Sequence, residues 1–371
     1  MESDGGGRRS NAHDTLVSAL SADGGIVVRA VSARNLVQDA LIRLQLSPVP
    51  AQALGEVAVC NLLLASGLKD REQLQLTIAG NGPISGITSI ADGHGDVKAM
   101  LQGDRKFTGQ QDASGSREKS IRRGIGRGQI QLVRSHPDWI QPFQSITEIR
   151  NVSIPINVAF ALLETEQRTS AIDAGVEVSG ALVQAAAGYY VERLPDASEE
   201  TLQRVEENLK GLKNDSLSTL FRSGLTAPDL VDRILEGVGV MHGTYSTGAP
   251  SYKCSCSPER FLYRLKALPR PELEQIILKQ EILEMTCAFC GEVYHISWDR
   301  VRKLLDISEQ ENELWREEAP PLANGTISPR PSPSSEASSA IASSLRLASL
   351  NREREEQGRL GGGGDGADDT A

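Results

Sequence analysis

Apolar positions along this chain change period several times, and each change marks an element. Residues 1–14, rich in Gly, Ser and Arg, read as a flexible N-terminus, and structure is expected from Thr15. From Gly25 the run I-V-V-R-A-V-S predicts a strand. A helix follows, with Val37, Ala40, Leu41 and Leu44 at helical spacing and Ser47-Pro48 as its stop. Residues 50–66 form an apolar helix containing Cys60. Alternation then takes over: Leu74, Leu76 and Ile78 precede the Gly80-Asn81-Gly82-Pro83 turn, and Ile84, Ile87 and Ile90 precede a second turn at Asp92-Gly93-His94-Gly95. This predicts an antiparallel meander. The polar, Gly-rich stretch 103–128, basic around Arg122 and Arg123, reads as a long loop or irregular edge. Strands are predicted at 129–134, 174–179 and 180–193, and a helix at 157–166. The mixed order points to an α+β core domain, with an antiparallel sheet, over 15–194.

Residues 195–252 change character and read as a helical linker. Asp196 with Glu199 makes a capping box, and Leu202, Val205, Leu209 and Leu212 recur at spacings of three and four. A second helix carries Leu217, Leu220 and Phe221. A third starts with Thr226 as N-cap and Pro228 in the first turn, carries Leu230, Val231, Ile234 and Leu235, and ends at Gly237 and Gly239. Helices this short are marginal in water, so they need a surface to dock on. A loop over 242–252 leads to the cysteines. Residues 316–371 contain no aromatic residue and no cysteine; their Ser, Pro and Gly composition predicts a disordered tail, with at most a transient helix at 340–350.

Charge narrows the function classes. A net charge of −10 argues against broad electrostatic binding to nucleic acid or anionic lipid, so neither is expected as a partner. No apolar run is read as approaching the ~18 residues of a membrane span, the longest candidates being 154–163 and 180–191. The N-terminus carries acids and no apolar core, which predicts a reducing, cytoplasmic setting, with an organelle the alternative if a transit peptide is missing. Aromatic residues make up only 4% of the chain, so the core must rest on Leu, Ile, Val and Ala.

Five cysteines are an odd number and too few for a disulfide framework. Four of them, Cys254, Cys256, Cys287 and Cys290, fall in two close pairs, the arrangement that tetrahedral Zn²⁺ coordination requires. Cys287-Ala-Phe-Cys290-Gly291 has the shape of a zinc knuckle, in which Gly291 tolerates positive φ. Cys254-Ser-Cys256 is a tighter chelate, and its two sulfurs, if oxidised to each other, would close a small strained ring that is easily reduced again. The spacing suits a plain zinc-stapled module as well as a switch. About thirty residues separate the pairs, against roughly 15–20 in ordinary zinc ribbons. They carry two helical patterns, Phe261, Leu262 and Leu265 before Pro269, and Leu273, Ile276, Ile277 and Leu283 after Pro271. Acids and bases balance there, whereas a zinc-binding nucleic-acid or transcription module would show a basic face. A thiol-disulfide oxidoreductase using Cys287 and Cys290 would need a thioredoxin-like βαβ setting, which these residues lack. His295 could replace a sulfur, but four thiols already satisfy the ion, and Cys60 reads as a small core hydrophobe. Arg123-Gly124-Ile125-Gly126-Arg127-Gly128 lacks the Lys-Ser/Thr of a phosphate loop. No Ser-His-Asp or paired-carboxylate site is discernible, so the protein is not read as an enzyme.

The motifs K-C-S-C-S-P-E-R and C-A-F-C-G-E-V-Y, so spaced, resemble the redox switch of the heat shock protein 33 family, the redox-regulated holdase chaperones. The likeness extends to G-N-G-P-I-S-G-I-T-S-I-A-D-G-H-G-D-V-K-A and to A-L-L-E-T-E-Q-R-T-S-A-I followed by G-A-L-V-Q, over about residues 15–301. The resemblance implies an ATP-independent chaperone of unfolded clients, with an α+β core, a helical linker at 195–252 and a zinc-binding switch at 253–301. It implies that Cys254, Cys256, Cys287 and Cys290 hold one Zn²⁺ per chain when reduced. On oxidation they would form Cys254–Cys256 and Cys287–Cys290 disulfides and release the metal, and the active form would be a homodimer. The chain departs from the pattern at 103–128, at Cys60 and in the 316–371 tail.

Overall fold

The computed structural model describes residues 13–109, 117–212 and 216–305. β1 (Thr15–Leu20) and β2 (Ile26–Ser32) form a hairpin that leads into α1 (Arg34–Leu44), which buries Leu36, Val37, Ala40, Leu41 and Leu44. Its N-cap, Ala33, has no side-chain acceptor. The Asp14 carboxylate serves instead, accepting from Asn35 N at 3.0 Å and Leu36 N at 2.7 Å. α2 (Pro48–Ala65) is apolar all round because it lies between two sheets, packing on strands of both. At 18 residues it is long and apolar enough to cross a membrane by length and composition, which corrects the sequence reading; 89% of it is buried inside the protein, as in a core helix. Its buried Asn61 donates to Leu74 O and to Ser89 Oγ, both at 3.1 Å, and so ties the helix to two strands.

Those strands belong to the meander β3 (Gln73–Gly80), β4 (Gly86–Asp92) and β5 (Asp96–Gln102). The stretch read as a loop contains a helix, α3 (Arg117–Ile125), which buries Ile121 and Ile125, one turn apart. Gly content had masked that pair. The glycines serve backbone packing: Gly82 N donates to Ile125 O at 2.8 Å, and a Cβ on Gly82 would stand 2.3 Å from Gly124 O. β6 (Gly128–Ser135) follows, then β7 (Phe143–Glu148), a largely exposed strand whose apolar alternation is too thin to predict it. α4 (Ile154–Glu166) starts three residues earlier than expected, and β8 (Ser170–Ser179) and β9 (Leu182–Arg193) complete the core strands.

The linker helices are α5 (Glu199–Leu212), α6 (Leu217–Arg222) and α7 (Ala227–Ile234). Ser198, not Asp196, caps α5, its hydroxyl accepting from Thr201 N at 3.1 Å. Thr226 caps α7 in a capping box with Asp229. The predicted 242–252 loop holds two short strands, β10 (Ser246–Gly248) and β11 (Ser251–Tyr252), because their main-chain groups are taken up by the sheet edges. The strand orders are β10-β1-β2-β9-β8 and β11-β5-β4-β3-β6-β7. Every pairing in these two sheets is antiparallel except that of β11 with β5.

The chain divides into two compact units. The large one holds both sheets and α1 to α7, and Cys287–Glu292 groups with it. The small one contains α8 (Pro258–Leu265), α9 (Arg270–Leu278) and the hairpin of β12 (Ile282–Thr286) and β13 (Val293–Ser297), around Leu265, Leu273, Ile296, Val301 and Leu304. Leu283 lies on β12 rather than on the preceding helix. The 316–371 tail and the pattern at 340–350 lie outside the described residues, as do residues 1–12.

Candidate metal centre

The approach to the cysteines is built on β5. β11 pairs with it at Ser251↔Asp96 and Tyr252↔Val97, and Lys253 N donates to Val97 O at 2.9 Å. The Asp96 carboxylate accepts from Ser251 Oγ at 2.7 Å and from Lys253 Nζ at 2.5 Å; these hydrogen bonds outweigh its desolvation and hold its pKa below the usual carboxylate value. Cys254 is the next residue. Two positions on, Cys256 precedes the Ser257 N-cap of α8, which accepts from Arg260 N at 3.3 Å. The Cys256 Sγ lies 3.1 Å from the Tyr294 hydroxyl, and the Tyr294 ring packs against Phe261 with centroids 5.2 Å apart.

The second pair sits in a closed turn. Cys287 N donates to Glu292 O and Gly291 N to Cys287 O, both at 2.8 Å, and Gly291 has φ of 74°, as its place after the knuckle predicts. The sulfurs of Cys254, Cys256, Cys287 and Cys290 all lie within 4.8 Å of one another, and Cys254 Sγ and Cys287 Sγ are 3.7 Å apart. Four sulfurs about 2.3 Å from a tetrahedral ion would be about 3.8 Å apart, so this set fits one metal ion. Cys287 and Cys290 are buried, while Cys254 and Cys256 are half-buried and so more open to an oxidant.

His295 pairs with Glu284 across the β12–β13 hairpin and does not join the four-sulfur group. Cys60 is fully buried on α2, where burial first, then the charges of Glu56 and Asp173, push its thiol pKa up. Asp96, Tyr252 and Tyr294 were not singled out from the sequence: Asp96 and Tyr294 lie within the quoted motifs but offer no thiol to the site, and Tyr252 precedes the K-C-S-C motif, so their contacts arise only when the chain folds back.

A second feature bears on function. β2 and β9 are apolar on both faces: Val31 and Tyr190 join the core around α2, while Val28, Ala30, Tyr189 and Val191 face the linker. There they cluster with Val205, Leu209, Leu217, Leu230, Val231 and Ile234: α6 and α7 pack on the strands of the five-stranded sheet, and α5 packs on α7.

Known proteins are similar to this chain in sequence and in fold. The family described as Hsp33 protein matches residues 14–297. The 33 kDa chaperonin of Acaryochloris marina is 33% identical over 301 residues, covering 79% of this chain and 97% of that protein. That of Desulforamulus reducens is 27% identical over 300 residues, covering 81% and 99%. The crystal structure of the 33 kDa chaperonin of Thermotoga maritima superposes with a TM-score of 0.72 at 26% identity, over 81% of this chain and 100% of that one. A match over most of the length, the same fold and a four-cysteine cluster that fits a redox-regulated zinc site lead to one assignment: this chain belongs to the Hsp33 family of chaperones.

Proposed function

We propose that the protein is an ATP-independent holdase held off by one Zn²⁺ on Cys254, Cys256, Cys287 and Cys290, and switched on when an oxidant such as peroxide or hypochlorous acid removes their electrons. All-sulfur ligation favours zinc over harder cations. In the switch, the two thiolates of each pair would give up two electrons to one peroxide, which takes two protons from solvent and becomes two waters; the Cys254–Cys256 and Cys287–Cys290 disulfides so formed would no longer hold the ion. Structural zinc contributes about 10–16 kcal/mol of binding free energy to small thiolate sites, comparable to the stability of a whole domain, so the 253–301 switch region unfolds without it. The linker helices over 195–252 are marginal and follow. No substrate is turned over. The activated chain acts as a homodimer on unfolding proteins in a reducing, cytoplasmic compartment.

The observation that carries this reading is the apolar interface of the linker. Val17, Ala19, Val28, Ala30, Tyr189 and Val191 are covered by helices of 6 to 14 residues, which water alone does not sustain. Releasing those helices bares a sheet face and three apolar stripes, surface of the kind that unfolding proteins seek. The experiment is suppression of aggregation of a chemically denatured client by the reduced and the peroxide-treated chain, with zinc measured in parallel. Strong suppression only after oxidation, with one zinc released per chain, is expected; equal suppression in both states sinks the switch.

A further inference from the structure

The Tyr252 hydroxyl joins the core to the cysteine knuckle. It accepts from Ala99 N at 3.3 Å and has two carbonyls within donating range, Ala99 O at 2.7 Å and Phe289 O at 2.5 Å. Ala99 is on β5, whereas Phe289 stands between Cys287 and Cys290. Two further contacts fix the knuckle to the same unit. The Lys98 ammonium lies 5.2 Å from the Phe289 ring centroid, and Gly291 passes so close to the end of α1 that a Cβ there would stand 2.4 Å from Arg43 O.

We infer that Tyr252 is a positioning residue for the switch, a latch by which the six-stranded sheet holds the Cys287–Cys290 knuckle in reach of Cys254. This rests on the proposed zinc-held switch. The hydroxyl has one proton and two carbonyl acceptors, so it donates to one at a time. While the knuckle is in place, Phe289 O competes for that proton; when the knuckle leaves, Ala99 O takes it. Release therefore strands no buried hydroxyl and costs no more than the hydrogen bond to Phe289 O, without the larger desolvation penalty of an orphaned group. Such a contact restrains the knuckle and still lets go on oxidation. The Asp96 clamp on Ser251 and Lys253 fastens the Cys254 side to the same strand, so both halves of the site are referenced to β5.

The test is Tyr252→Phe in the full chain, which removes only the hydroxyl. Zinc-loaded, reduced wild-type and variant proteins are mixed with a chromogenic chelator, with and without peroxide, and metal release is followed. Zinc release from the variant is expected to be roughly three- to tenfold faster, the effect of one hydrogen bond. Equal release rates overturn the latch. If core melting also falls, Asp96→Asn, which loosens the neighbouring clamp, decides: faster release supports the role of β5, and an unchanged rate overturns it. A wild-type chain that binds no zinc when reduced refutes the proposed switch itself, a result separate from equal rates in two loaded proteins.

Discussion

The Asp23 carboxylate, in the β1–β2 turn, accepts a hydrogen bond from the Ser198 hydroxyl at 3.3 Å, and Ser198 in turn caps α5. Backbone packing brings them together: a Cβ on Gly25 would stand 2.3 Å from Ala197 Cα. One exposed acid thus anchors the first linker helix to the core hairpin.

Asp23→Ala is expected to free the start of α5 and to raise the rate of limited proteolysis within 195–240 of the reduced chain several-fold. The Ser21 hydroxyl, then that of Thr201, holds the Asp23 carboxyl well below its ordinary value of 3.8. A depressed carboxyl contributes its stability above the unfolded pKa and loses it as pH falls through the folded one. Linker proteolysis in the wild type should therefore be independent of this group from pH 5 to 8 and rise only under stronger acid, while the variant loses that acid-dependent component. Unchanged cleavage in the variant at neutral pH contradicts the anchor.

Leu230 and Val231, on the linker helix α7, are fully buried against the core sheet. Leu230→Ala removes packing worth about 2–5 kcal/mol, more than such short helices hold in reserve. The variant should suppress client aggregation while all its thiols remain reduced, with far-ultraviolet circular dichroism still reporting the core strands. Activity that still requires peroxide would show that the linker does not govern access.

Thiol counting separates the cysteines. Five thiols should react in denaturant before oxidation and one after it, because Cys60 is enclosed in α2 and burial disfavours its thiolate. Mass spectrometry of the remaining alkylated peptide identifies it. Oxidation of Cys60 at the same rate as the other four would mean that the core opens during activation.

Gly291→Ala should weaken metal retention. The residue has φ of 74°, and the added Cβ would stand 2.4 Å from Arg43 O. The conformational penalty alone is roughly 1–2 kcal/mol. Chelator competition should show zinc affinity lower by about tenfold or more, with the sheets intact; equal affinity would show that the knuckle tolerates another conformation.

Much of the site was legible because its chemistry is local. Cys287-Ala-Phe-Cys290-Gly291 closes its own turn, and Thr226 caps α7 from the next residue, so both are readable from spacing. α3 was missed because glycines needed for backbone contact with the 80–83 turn dilute the signal of Ile121 and Ile125. β7, β10 and β11 were missed because each is held by a partner strand rather than by a pattern of its own. Ser198 replaced Asp196 as the α5 cap because the hairpin of β1 and β2 fixes where that helix starts.

The sequence by itself determined the two close cysteine pairs, the helical character of 195–240 and the long apolar strand toward residue 193, all properties of neighbouring residues along the chain. Only the tertiary structure decided that Cys254 approaches Cys287 to 3.7 Å, that Tyr252 touches the knuckle, and that the linker covers β1, β2 and β9. Those contacts join residues far apart in the chain. Their formation is set by the folded sheets, which offer the edge of β5 and one apolar face as the places where otherwise marginal segments can bury their polar backbone and side chains.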